Sequence, residues 1–448
     1  MPRSGSSHNR VHIVLIPGFA GFDALGQLEY YAGVTPQFQQ WKHTRRTRGN
    51  RDAALHYFDN FPTAAVRTRA ARLRRYLTTR SARGEFGDAD RIALVGHSTG
   101  GLDIRWLLWE LKQAASRPYP VDGATMSDRV FTAAEILSRI KRVVFLSVPQ
   151  WGPNIADWVR TYKLIRKIFV TDLCVGFKGT QVPLLGYLEE SFWNCCSETC
   201  KMGIVDAVRD VVSESESCLS DTATQVANAQ EAASEVQLWL RHIATDFRAI
   251  DDLACKNGTR DPQSPAHFDA ARRKDEKEAW GEIATRSYAT VGARPFQFAA
   301  GAAAPVWDLC NPLTSPLCTP RVHPSPKSDA LYCLAYRACA GGPFQYPDGG
   351  APVAKPFFPP ASSPRKIELW DNDGIVNTAS MFWPDGKDTR LVECDHMDIV
   401  GHYEEVRSAS ECSKRTYQAY DLFKSGSNFT DTGFERVWND VFDFCVAE

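Results

Sequence analysis

At 448 residues, with 44% hydrophobic and 11% aromatic side chains, the chain carries ample material for a buried core, which excludes wholesale disorder. Its 52 basic and 53 acidic residues give a formal net charge of -1, so the whole chain makes no strong electrostatic claim on nucleic acid or an anionic membrane. Thirteen cysteines are too few for a disulfide scaffold, and the odd count leaves at least one thiol unpaired within a monomer.

Length alone suggests about three domains. The N-terminal apolar run, residues 11–20, is short and contains Pro17 and Gly18, a weak match to a secretory signal, and no run reaches the length of a spanning helix. A cytoplasmic location is the default expectation, with an extracellular one open if the chain is a mature fragment. Asn257-Gly-Thr259 and Asn428-Phe-Thr430 fit a glycosylation acceptor pattern that chance also produces.

In chain order, residues 11–16 read as an apolar strand ending in the turn Pro17-Gly18-Phe19-Ala20-Gly21. Residues 61–80 read as a helix whose Arg67, Arg69, Arg72, Arg74 and Arg75 suit a solvated face better than an anion site. Residues 91–95 form a second strand, which turns sharply into an apolar-periodic helix over 102–115, and 142–148 a third. Strand, glycine turn, helix, strand is the pattern of a mostly parallel sheet covered by helices. Residues 152–285 then read as a helical block, and 286–291 return to the sheet.

Between Pro295 and Pro364 lie 14 of the 26 prolines, which excludes helix interior and central strand for most of that stretch. Such a segment is a covering loop or a disordered linker. Trp307, Leu309, Leu313, Phe344, Phe357 and Phe358 argue for packing, and Cys310, Cys318, Cys333 and Cys339 are candidates to staple it. A strand is expected over 366–370, followed by Asp371-Asn-Asp373-Gly, and another over 390–393, followed by Asp395-His396. The remainder reads as terminal helices, with 406–423 amphipathic.

Gly96-His97-Ser98-Thr99-Gly100 matches the nucleophile elbow G-x-S-x-G, between a strand and a helix. A serine becomes a nucleophile when a base takes its proton and an acid orients that base, in the chain order Ser, Asp or Glu, His on this kind of sheet. Asp373 and His396 each follow a strand candidate; Asp371 is a rival acid and His402 a rival base. Asp395 and Asp398 suit surface or turn positions, and His97 a packing role. Donors to a developing oxyanion would be the backbone amides of Thr99 and of Phe19, in the loop after the first strand.

The chain resembles an α/β-hydrolase of the lipase group, particularly bacterial true lipases and related polyester depolymerases. HIVLIPGFAGF resembles their first strand and oxyanion loop, IALVGHSTGGLDIRWL their elbow, DNDGIVNTASM their acid loop and DHMDIVG the segment carrying their base. The likeness covers 11–149 and 366–403 and hardly touches 152–365. It implies Asp373 over Asp371, His396 over His402, and an oxyanion hole of Phe19 and Thr99. Pro17 and Gln150 depart from it, both standing where many such lipases have histidine, and their zinc-binding insertion does not map here.

The resulting expectation is a lipase-like serine esterase acting through an acyl-enzyme on a small-molecule or lipid-like ester with an apolar acyl group. Transient contact with a lipid interface is compatible with it, and oligomeric state is open. An acyltransferase, lactonase or thioesterase acting on a specialised metabolite is the alternative, followed by a non-catalytic binding protein on the same scaffold. No cofactor or metal is expected; Cys195-Cys196-x3-Cys200 lacks the paired spacing of a zinc site. The organisation expected is a core over 1–151 and 366–448, a helical cap over 152–285, and a core return with a covering loop over 286–365.

Overall fold

Six strands, each parallel to its neighbours, build one sheet: β1 (Val11–Ile16), β2 (Ala53–Tyr57), β3 (Arg91–His97), β4 (Ile140–Leu146), β5 (Ala284–Val291) and β6 (Thr389–Glu393). Their spatial order is β6-β5-β4-β3-β1-β2. The protein is seen in a computed structural model that describes residues 9–19, 21, 24–25, 28–46, 52–115, 118–119, 130–161, 248–254, 264–281, 283–294, 296–298, 318–320, 330–340, 357–360, 367–382, 388–403, 423 and 425–447. The helices introduced below are α1 (Val34–Arg46), α2 (Val66–Ala82), α3 (Thr99–Gln113), α4 (Ala133–Arg139), α5 (Asn154–Thr161), α6 (Ala249–Leu253), α7 (Ala270–Trp280), α8 (Ala330–Cys339) and α9 (Asp431–Val446).

Strand side chains alternate between faces, and here both faces are covered, so β1 is buried at every position instead of alternating apolar with polar. Val14, Ile16, Leu94 and Val143 face a core completed by Leu73 and Leu77 of α2 and Leu107 and Leu111 of α3. Ile13, Leu15, Val95 and Val144 face the other core, closed by Phe38 and Trp41 of α1 and Trp438 and Phe442 of α9. Hydrogen bonds join α1 to α9 across most of the chain, from Gln37 Nε2 to Asn439 (2.9 Å) and from Trp41 Nε1 to Asp443 (2.8 Å). Trp438 Nε1 donates to Ile399 O at 2.9 Å, anchoring the loop beyond β6. This is the α/β-hydrolase architecture: a parallel central sheet flanked by helices, with additional helical and irregular segments.

Three expectations need correction. No strand forms over the described residues 367–370; the Asp371 carboxylate accepts from the Glu368 amide (2.8 Å) and bends the segment into a turn. Phe357 takes the place beside Leu391 instead, as an isolated parallel bridge. Within the proline-rich stretch, the proline-free run ALYCLAYRAC forms helix α8. Its Cys339 is a buried free thiol, pointed at Ile375 O and Asn377, and so is no staple. Most of the stretch, the block over 162–247 and all but Phe423 of the amphipathic candidate over 406–423 lie outside the described residues. Among the described residues, no helix is long and apolar enough to cross a membrane.

Candidate active site

Ser98 sits between β3 and α3 with φ 53° and ψ -132°, a conformation that costs an L-residue free energy and is retained where geometry matters. Its amide extends the sheet by donating to Leu146 O (2.9 Å), so the end of β3 fixes where the side chain begins. No side chain caps α3, and the Thr99 amide belongs to the first turn, where N–H groups lack intrahelical acceptors. The loop after β1 lies directly against this turn. A Cβ on Gly18 would stand 2.5 Å from Ser98 Cβ, and one on Gly100 would stand 2.4 Å from Ile16 O, so only glycine permits either approach.

Arg69 holds that loop. The helix face read as solvated instead buries Arg69 completely, between the buried Val66 and Leu73. Its guanidinium pairs with buried Asp103 (2.9 Å) and donates to Pro17 O (2.8 Å), Gly18 O (3.2 Å) and Pro62 O (3.3 Å). A trans peptide is planar, with its C=O and N–H pointing opposite ways. Fixing Gly18 O therefore fixes the opposite heading of the Phe19 N–H. Burial pushes the Asp103 carboxyl up to about 7, against the opposing pull of Arg69.

On the other side of the elbow, Asp373 is buried and held by four donors. The amides of Ile375 (3.0 Å) and Val376 (2.7 Å) reach Oδ1; Thr290 Oγ1 (2.6 Å) and His396 Nδ1 (2.8 Å) reach Oδ2. With Oδ2 accepting from His396, the ring proton is on Nδ1 and Nε2 carries the lone pair. The His396 amide also donates to Asp373 O at 3.0 Å. Asp371, the rival acid, is bound instead by Arg294 (2.6 Å) and Tyr336 (3.2 Å), and His402, the rival base, meets Tyr30 O (3.1 Å). Asp395 and Asp398 do form a turn, through amides bonded to each other's carboxylates, but both are buried rather than on the surface.

The structure thus joins Asp373 to His396 and sets Gly18 against Ser98. Ser98 is linked to the His396 loop through its neighbour: His97 Nε2 lies 2.9 Å from His396 O, and the two imidazole rings are 4.6 Å apart. Among the described contacts no hydrogen bond joins Ser98 Oγ to the His396 ring. Arg69, Tyr30 and Thr290 escape a reading by motif. The one local signal for Arg69 is its position on the stripe Val66, Arg69, Leu73, Leu77, at helical spacing.

No protein-family model and no curated protein matches the chain. Among solved structures, lipase 1 from Pelosinus fermentans is 15% identical, over 94% of this chain and 98% of its own, at a TM-score of 0.42. Staphylococcus hyicus lipase is 13% identical, over 89% and 90%, at 0.36. A metagenomic carboxyl esterase is 12% identical, over 99% and 77%, at 0.34. Likenesses so remote leave the function to rest on this chain's own residues.

Proposed function

We propose that the protein is a serine hydrolase that cleaves carboxylic esters through an acyl-enzyme. The observation that carries this reading is the strained Ser98 at the strand-to-helix turn, at the same sheet edge as a hydrogen-bonded Asp373–His396 pair. Ser98 Oγ attacks the acyl carbon while His396 Nε2 takes the hydroxyl proton. The proton then passes to the departing alkoxide as the C–O bond breaks, and a water deprotonated by the same nitrogen releases the acid and restores Ser98. Asp373 orients the ring and stabilises its charged form. The amides of Phe19 and Thr99 receive the negative charge on the acyl oxygen. The aromatic content of the sequence over 152–365 favours an apolar acyl group.

The test is fluorophosphonate labelling with the modified peptide identified, beside turnover of short- and long-chain nitrophenyl esters. The expectation is a single adduct on Ser98 and loss of turnover by several decades in Ser98→Ala. Unchanged turnover in that variant ends the proposal.

A further inference from the structure

Resting on that reading of Ser98, we infer that Tyr30 and His97 form a proton-ordered relay that locks the oxyanion loop to the segment carrying the base. Neither residue would touch substrate; both are positioning residues.

The direction of each hydrogen bond follows from elimination. The Gly18 amide donates to Tyr30 Oη at 2.9 Å, so that oxygen is already an acceptor. At the far end the His396 carbonyl can only accept, so a neutral His97 donates to it from Nε2 at 2.9 Å, and its Nδ1 accepts the tyrosine's own proton across 2.6 Å. A single neutral tautomer satisfies all three contacts. Burial, followed by the neighbouring His396, holds the His97 pKa well below the ordinary histidine value, so the neutral form is the one present. Both rings are closed off from solvent, with Tyr30 4% and His97 0% exposed.

What this chain joins gives it a role beyond packing. The Pro17–Gly18 peptide is gripped at both ends, its carbonyl by Arg69 and its amide by Tyr30. The next peptide carries the Phe19 N–H. At the far end lies the backbone of His396 itself. The middle member precedes the nucleophile, so the second position of G-x-S-x-G is here an acceptor for one loop and a donor to the other. Two further contacts keep the relay in register. His402 Nε2 meets Tyr30 O at 3.1 Å, and a Cβ on Gly401 would stand 1.8 Å from Ala32 O. The Tyr30–Ala32 backbone and the 396–402 segment are therefore packed directly against each other.

Tyr30→Phe keeps the ring and removes only the hydroxyl. The expected result is a fall in kcat of about tenfold or more, short of the roughly 10²–10³ that deleting an oxyanion donor costs, with KM within twofold. The rate of fluorophosphonate labelling falls in parallel, yet the adduct still forms on Ser98, which separates failure of the relay from failure of the nucleophile assignment. His97→Asn breaks the same chain at its next link and serves if Tyr30→Phe does not fold. Because both act through one path, the double variant loses little more than the worse single one. Wild-type kcat and labelling in folded Tyr30→Phe, or losses that multiply in the double variant, overturn the inference.

Discussion

Replacing Arg69 with methionine separates what this buried cation does for the fold from what it does for the site. The side chain is fully buried and faces an equally buried Asp103. Removing one partner of such a pair typically costs 3–5 kcal/mol, because it strands the other charge, whereas removing both with apolar replacements is often nearly neutral. Arg69→Met should therefore be destabilised by about that amount, and Arg69→Met/Asp103→Leu should recover most of it. Activity should not follow. Both variants release Pro17 O and Gly18 O, so the Phe19 amide loses its heading, with a ceiling near the roughly 10²–10³ of a lost oxyanion donor. Urea unfolding and nitrophenyl ester turnover on the three proteins are the assays. A carboxyl raised to about 7 in the folded state favours folding most below its unfolded value, and the benefit fades as pH rises through 7. Without Arg69 the carboxyl moves higher still, so the single variant's stability deficit should widen from pH 5 to pH 8. A stable double variant with wild-type kcat would refute the reasoning.

Asp373→Asn leaves the volume of the acid but reverses the hydrogen-bonding demand on His396 Nδ1, and kcat should fall by roughly 10⁴ with KM little changed; a loss below tenfold in steady-state assays would count against Asp373 as the orienting acid. At the other end of the sheet, His12 bridges His56 (2.9 Å) and Asp90 (3.0 Å), and Arg10, Arg80 and Arg139 also act on the two rings. Burial depresses both histidines, His56 to about 4, so their contribution to stability is present above 6.5 and fades as pH falls toward 4. His56→Gln should be closer to wild type at pH 4.5 than at pH 7.5 by urea midpoint, and an equal gap at both would contradict the assignment.

The parts of the fold visible in the amino-acid order were those specified by short-range chemistry. β1 ends where Pro17 and Gly18 stop an apolar run, and the elbow, the Asp373 turn and the His396 turn are each marked within a few residues. Helix α1 escaped because Pro36 sits in its first turn, where a missing N–H costs little but reads as a break. Strand β2, AALHY, escaped because it is an edge strand, mostly half-buried and without a β-branched residue. The expected strand over 366–370 gave way to the Asp371 side chain, which bonds the Glu368 amide and takes its own countercharge from Arg294. Arg69 shows the limit most clearly: its place on the apolar stripe hints at burial, but its counterion lies 34 residues away on another helix, where no local pattern can name it. Likewise, the motif marks His97 as a neighbour of Ser98, but its partners, Tyr30 and His396 O, come from opposite ends of the chain.

The closure of one sheet face by α9 has a consequence for how the protein is made. Chains emerge from the ribosome in sequence order, at about 5–20 residues per second, and fold as they lengthen. The apolar side chains of β1 and α1 are synthesised early, yet their cover, Trp438 and Phe442, is among the last of the described elements to appear. The same helix supplies the indole that fastens Ile399, three residues beyond His396. Biosynthesis therefore delivers the Ser98 turn first and the Asp373 turn second, with His396 next. The anchor of the histidine loop comes last, so half the core stays sticky, and the site unfinished, until the final described helix is in place.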